Sequence, residues 1–434
     1  MQSSPVNAQV ESVLLQVIIQ LIVIIAAARI TGQIFRRMGQ PVVCGEIAAG
    51  LILGPSLFGR FFPEAFQTVF DPSVSETFSI LSQVGLVLLM FLIGLEFDFG
   101  HLSGNGPTAL SVSLAGIVFP FILGFGLGYW MHGALEFDGS WFNFSLFMAA
   151  AMSITAIPIL GRIMIELNLH RTRIGSLTIS AAAIDDASGW IILALVTAIV
   201  RATLDPLRMA AMIGGVVAYG LIMVLLVRPI LCRWAQRQLQ KRGDLSLNAQ
   251  AILLILVFLS AAATNLIGIF SIFGAFMLGA ILYDQTELRK AVNQRLQDFV
   301  TVFFLPIFFT YTGLRTDIGS MTGATMWAFC GAVLGAAILG KFGGCTLAAR
   351  LSGLPIRESA MIAVMMNTRA LMELIVINIG YDLGIIPKPV FFMLVFMAVV
   401  TTYMTTPILS RLIRRSEAWD SYRVSDFAAR FEKV

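Results

Sequence analysis

The sequence predicts an all-helical polytopic membrane protein of about thirteen transmembrane helices, built as two inverted six-helix repeats around a linker helix. Three observations carry this. The 434-residue chain is 58% hydrophobic and 12% charged, with a mean hydropathy of +0.86. Soluble domains carry about 25% charged residues, so a chain this apolar has lipid for much of its solvent. Its apolar residues gather into thirteen runs, most of them long enough to cross a bilayer as a helix. A short motif also recurs seven runs apart: Gly94-Leu95-Glu96-Phe97-Asp98 closes the third run and Gly313-Leu314-Arg315-Thr316-Asp317 closes the tenth. An odd separation makes the two copies face opposite sides of the membrane, as inverted-topology repeats do.

The runs lie at about 12–35, 41–58, 78–97, 107–131, 143–165, 171–200, 207–232, 247–264, 268–284, 296–313, 321–349, 358–380 and 388–412. Met1 to Asn7 is polar and lacks a basic start, and the first run is long enough to span, so no cleaved signal peptide is expected. Orientation follows from Lys and Arg in the loops. With the N-terminus outside, the inward loops carry Arg36, Arg37, Arg162, Arg171, Arg173, Arg228, Arg233, Arg237, Lys241, Arg242, Arg289, Lys290, Arg295, Arg350 and Arg357. Arg411, Arg414 and Arg415 follow the last run on the same side, against Arg60, Arg201, Arg208, Arg315 and Lys388 outside. This predicts an inner or plasma membrane location with a cytoplasmic C-terminus. Fusing the short eighth and ninth runs would scramble the pattern. Residues 1–434 then form one membrane domain: a first repeat at about 12–200, a linker helix at about 207–232, a second repeat at about 247–412 and a short tail at 413–434.

Several function classes are excluded. Cys44, Cys232, Cys330 and Cys345 have no metal-ligand spacing, and His101, His132 and His170 are scattered near span ends. A net charge of +4 reports topology rather than a nucleic-acid partner. No Walker motif marks a primary pump. Tyr283-Asp284 and Tyr381-Asp382 resemble half of an intramembrane protease motif, but no GxGD follows. The sequence predicts neither an enzyme nor a cofactor, and no metal beyond a transported monovalent cation.

The informative residues are charges that should not be in lipid. A charge at the bilayer centre costs at least about 2.5 kcal/mol. Asp185 and Asp186 sit near the middle of the sixth run, and neighbours on a helix point about 100° apart, so they serve different partners. A carboxylate takes either a dehydrated cation or a proton, and competition at one site couples their movements in opposite directions. Lys341, mid-run among small residues, needs an acid partner, with Asp185 and Asp186 both in reach of the argument. Ser153, Thr155 and Pro158 interrupt the fifth run, and Asn367, Thr368 and Arg369 interrupt the twelfth at the matching place. Pro158 is expected to remove a helical hydrogen bond and clash with the preceding turn. Broken helices expose carbonyls and dipole ends that line ion sites. Arg369 and Glu373 are spaced to pair locally, with Arg369 compensating the break. Glu46 and Glu96, near predicted interfaces, are weaker candidates.

At these residues the chain resembles the cation–proton antiporter superfamily, in the branch of Kef-type potassium efflux systems, GerN-like exchangers and plant CHX transporters. The matching stretches are Gly45-Glu46-Ile47-Ala48-Ala49-Gly50-Leu51-Ile52-Leu53-Gly54-Pro55-Ser56, Gly94-Leu95-Glu96, Asp185-Asp186, and Met366-Asn367-Thr368-Arg369-Ala370-Leu371-Met372-Glu373-Leu374-Ile375-Val376. Arg369 and Ala370 stand where CHX-like members typically carry Lys and Gly. The resemblance implies a secondary transporter that exchanges sodium or potassium for protons by alternating access. It implies a homodimer with a dimerisation domain and a six-helix core domain, and crossed discontinuous helices at the fifth and twelfth runs. Asp186 would be the main ion and proton carrier, Asp185 the salt-bridge partner of Lys341, and Thr155 and Ser153 would help coordinate the ion. The short tail after the last run is expected to leave no soluble nucleotide-binding regulatory domain. A cation channel, or a non-transporting sensor on the same scaffold, are the alternatives from other classes.

Overall fold

The computed structural model describes residues 5–40, 42–71, 75–96, 106–135, 137, 139–155, 157–169, 172–201, 206–242, 245–414, 416–423 and 425. Among them the regular structure is all helical. The principal helices are α1 (Pro5–Arg37), α2 (Val42–Leu53), α3 (Ser75–Glu96), α4 (Gly106–Leu135), α5 (Trp141–Ser153), α6 (Ile157–Glu166) and α7 (Arg173–Arg201). They continue as α8 (Pro206–Ile222), α9 (Arg228–Arg242), α10 (Leu247–Ile267), α11 (Ser271–Ala280), α12 (Thr286–Val292), α13 (Leu305–Arg315), α14 (Gly323–Leu351), α15 (Ile356–Met366), α16 (Leu371–Asp382), α17 (Lys388–Ile413) and α18 (Trp419–Arg423).

Each of the thirteen apolar runs coincides with one helix or a broken pair. Among the described residues, nine helices are long and apolar enough to cross a membrane, or up to eleven if each bent pair is one span. The fifth run divides into α5 and α6, and the ninth holds α11 of 10 residues. Neither reaches full span length, so thirteen crossings exceed what length and apolarity support. The physical reason is that discontinuous and short helices cannot be counted by hydropathy alone.

The chain divides into two compact units. The first comprises Met1–Ile34, Gly45–Asp98 and Pro206–Asp317; the second comprises Phe35–Cys44, Phe99–Asp205 and Ile318–Val434. The halves of the sequence thus interleave, each unit taking helices from both proposed repeats.

In the first unit, glycines allow backbone-to-backbone helix contact. A Cβ on Gly94 would lie 3.0 Å from the Gly279 Cα and 2.9 Å from the Ala280 nitrogen, so α3 and α11 meet without side chains between them. A Cβ on Gly313 would lie 2.7 Å from the Gly50 Cα, which joins α13 to α2 in the same way. The glycines of the two recurring motifs therefore do the same job, as small residues do at membrane helix interfaces. Phe97 and Asp98 of the first copy lie outside the described residues. Gly279→Val is expected to cost about 1–3 kcal/mol through overpacking, read as an earlier thermal transition of the detergent-solubilised protein. A leucine substituted for the exposed Val217 on α8 is the neutral control.

In the second unit, residues 361–380, which span the end of α15 through most of α16, are all buried. A helix apolar on every side belongs inside a bundle rather than against lipid. Leu225 and Leu226, in the π turn Met223–Val227 between α8 and α9 of the first unit, are by contrast 66% and 59% exposed, as lipid-facing side chains are.

Candidate functional site

The site lies within the second unit and starts from two interrupted helices. α5 ends at Ser153 and α6 begins at Ile157. α15 ends at Met366 and α16 begins at Leu371, with a bend of 45° between them. The last carbonyls of a helix have no partner within it, and burial makes each unsatisfied one costly. Here each break supplies partners for the other. The Thr155 hydroxyl, from the first break, donates to the Met366 carbonyl at the end of α15, 3.2 Å away. The Arg369 guanidinium, from the second break, donates to the Ala151 carbonyl at 3.3 Å and to the Met152 carbonyl at the end of α5. Arg369 also pairs with Glu373 at 3.0 Å, both groups fully buried. A planar guanidinium with its donors in a fixed fork suits three acceptors at once.

Pro158 is the second residue of α6. In the first turn its missing N–H would have had no intrahelical partner anyway. It therefore stands at the start of a helix, after α5 has ended at Ser153.

The acids come from α7, where Asp185 and Asp186 are both 0% exposed. Gly189, one turn further on, lets α7 approach the first break: a Cβ there would lie 3.1 Å from Ile154 Cγ1. Lys341 is delivered by α14, which packs closely on α4 through glycines. A Cβ on Gly340 would lie 2.8 Å from the Pro120 Cα, and one on Gly344 would lie 2.7 Å from the Ala115 carbonyl oxygen. Lys341 is fully buried rather than extended to an interface. Its ammonium donates to Asp185 Oδ2 at 2.7 Å and to the Ser153 carbonyl at 2.5 Å. The half-helix end at Ser153, with its negative dipole, thus receives a cation.

Asp186 differs from its neighbour. Neither of its carboxyl oxygens has a hydrogen-bond partner among the described residues, and Asp185 Oδ1 has none either. An ionised carboxylate only accepts hydrogen bonds, and burying it bare is costly.

The remaining sequence candidates fall as follows. The Ser153 hydroxyl donates to the Ala149 carbonyl at 2.7 Å and the Ile117 carbonyl at 3.2 Å, so it is the Ser153 carbonyl that faces Lys341. Asn367 is buried, with Oδ1 lacking a partner among the described residues, and the Thr368 hydroxyl lies 3.2 Å from that of Thr405. Glu46 and Glu96 belong to the first unit. Glu46 is buried on α2 with Arg29 at 3.9 Å, and Glu96 accepts from Asn293 at 3.2 Å and Gln297 at 3.4 Å. His101 and His170 lie outside the described residues. Sequence reasoning passed over Thr402 and Thr405 on α17. Their signal was the run Thr401-Thr402-Tyr403-Met404-Thr405-Thr406 in an otherwise apolar helix.

Interrupted helices joined at their breaks, with a buried acid pair and a buried lysine beside them, are the kind of arrangement that lines ion paths in membrane proteins. Residues 21–415 match the family "Sodium/hydrogen exchanger, transmembrane". The chain is 40% identical over 402 residues to the Na(+)/H(+) antiporter NhaS4 of Synechocystis sp., covering 92% of this chain and 97% of that one. It is 35% identical over 392 residues to Cation/H(+) antiporter 17 of Arabidopsis thaliana, covering 90% of this chain and 48% of that protein, so it spans nearly all of the first relative but about half of the second. The fold is similar to that of the sodium proton antiporter MjNhaP1 from Methanocaldococcus jannaschii, with a TM-score of 0.63 at 14% identity, covering 96% of this chain and 99% of that one. The chain belongs to the sodium/hydrogen exchanger family of cation–proton antiporters: it is a multi-pass membrane transporter and not an enzyme.

Proposed function

We propose that Asp186 is the group that carries cation and proton in turn, and that the transported cation is sodium or potassium. The observation that carries this reading is the contrast within the acid pair: Asp185 is neutralised by Lys341 while Asp186 is buried without a protein partner among the described residues. A bare carboxylate is penalised by desolvation in an apolar interior. The protonated and cation-bound states are therefore the ones that cross between the two faces. Exchange follows because the site moves loaded with one or the other.

Thr155 and the main-chain groups at the two breaks complete the site in this reading. Thirteen spans with an outside N-terminus and a cytoplasmic C-terminus are supported by the distribution of Lys and Arg; a homodimer in an inner or plasma membrane is what the resemblance to the family implies. The test is cation-driven proton movement in proteoliposomes across Li⁺, Na⁺, K⁺ and Rb⁺. Saturating exchange with Na⁺ or K⁺ is expected, and proton-independent, non-saturating cation flux would instead mean a channel.

Competition fixes the sign of the pH dependence. Protons occupy the carboxylate as pH falls, so the apparent cation KM should rise towards acid pH and fall as pH increases. A KM independent of pH across two units would mean that proton and cation do not share a site.

The Lys341–Asp185 pair has a separate test. Removing one partner of a buried pair leaves an uncompensated charge, at a cost of about 3–5 kcal/mol. Lys341→Met should destabilise the protein strongly, and adding Asp185→Asn should restore part of the loss. Thermal unfolding of the double mutant relative to the two singles measures the coupling. Strict additivity would mean that the two groups do not depend on each other.

A further inference from the structure

We infer that Thr402 on α17 is a positioning residue of the exchange site, acting through the interruption between α15 and α16. Its hydroxyl brackets one residue of that interruption from both sides. The Arg369 N–H donates to Thr402 Oγ1 at 3.1 Å, and the Thr402 hydroxyl donates to the Arg369 carbonyl. A break in a helix frees such main-chain groups, and in a buried segment they must find partners. A single hydroxyl can serve as both donor and acceptor, so Thr402 satisfies the two Arg369 groups with one side chain. Thr402 is 1% exposed and Arg369 is 0% exposed, so water does not compete for these bonds.

What Thr402 holds is connected to the acids. With its backbone fixed, Arg369 extends its guanidinium to the Ala151 and Met152 carbonyls at the end of α5. The next residue, Ser153, gives its carbonyl to Lys341, and Lys341 holds Asp185 beside Asp186. A contiguous set of bonds thus runs from α17 to the acid pair. Thr405 adds a second contact from the same helix, to the Thr368 hydroxyl. Thr401 provides the contrast. It is equally buried, but its hydroxyl donates to Met397 and Ala398 within its own helix.

The inference rests on the reading of Asp186 as the carrier, and that reading has its own test in the Asp186→Asn protein. The Thr402 experiment compares initial rates of cation-driven proton movement in proteoliposomes for four proteins: wild type, Thr402→Val, Thr402→Ser and Thr401→Val. The driving cation is whichever of Na⁺ and K⁺ gives the faster wild-type rate. Thr402→Val keeps the shape and strands both Arg369 groups, so the apparent cation KM should rise between roughly fivefold and a hundredfold. Thr402→Ser keeps the hydroxyl and should stay within about twofold of wild type, as Thr401→Val should. A normal KM for Thr402→Val overturns the inference. So does an equal rise for Thr401→Val, because that would mean general loosening of α17. If Thr402→Val does not yield folded protein, Thr402→Ala and Thr401→Ala carry the same comparison with the same two outcomes.

Discussion

Asp186→Asn is expected to abolish coupled exchange and leave the protein folded. The amide keeps the volume and much of the shape of the carboxyl group but neither ionises nor releases a proton. Among the described residues no hydrogen bond depends on the Asp186 charge. A bare charge is costly to bury, so replacing it by a neutral group of the same size removes that cost. The thermal transition should therefore stay in place or rise while cation-driven proton movement falls to the level of empty liposomes. Asp185→Asn should behave oppositely. It is expected to loosen Lys341 and lower stability, and to retain some exchange if Asp186 has the proposed role. Inactive and unfolded Asp186→Asn would assign the residue a structural role instead.

Arg369→Met should have the largest effect on stability. The substitution strands the Glu373 carboxylate and removes the donors for the Ala151 and Met152 carbonyls, all in the interior of the second unit. An uncompensated buried charge alone costs about 3–5 kcal/mol, a large share of the whole stability of a typical domain. Little folded protein is expected. Arg369→Lys should recover only part, since a single ammonium cannot reproduce the fork that meets two carbonyls and a carboxylate. Arg369→Met combined with Glu373→Gln should be more stable than Arg369→Met alone, because the stranded charge is gone. Yield after size-exclusion chromatography and the thermal transition measure all three. If Arg369→Met were as stable as wild type, the capping of α5 by Arg369 would carry no weight.

Much of this was legible in the sequence, and for identifiable reasons. Membrane segments declare themselves because lipid tolerates so few charges, so Asp185, Asp186 and Lys341 stood out against apolar surroundings. Their interruption of otherwise apolar runs also marked Ser153–Thr155 and Asn367–Arg369 as breaks. What could not be read was contact between segments distant in the chain. Arg369 reads locally as a partner for Glu373 four residues on, yet its guanidinium also reaches Ala151 and Met152, more than two hundred positions earlier. Nothing in the spacing of the α17 threonines says that Thr402 meets Arg369 while Thr401 bonds within its own helix, or that Thr405 does both, donating to the Thr401 carbonyl and meeting Thr368. Pro158, expected to interrupt a helical run, stands at the second position of α6, where a proline fits the first turn of a helix. The interleaving of the two units is likewise a property of the fold, since adjacent spans such as α3 and α4 fall in different units.

The central claim is that proton and cation compete for the carboxylate of Asp186. Proton release on cation binding tests it most directly, with purified protein in weakly buffered detergent solution, NaCl or KCl as titrant and choline chloride as the ionic-strength control. Wild type and Asp185→Asn are expected to release protons in a saturable way, less so as the starting pH rises and the site is already deprotonated. Asp186→Asn is expected to release none above the choline baseline. Undiminished, saturable proton release by Asp186→Asn would place the exchange on another group and contradict the claim.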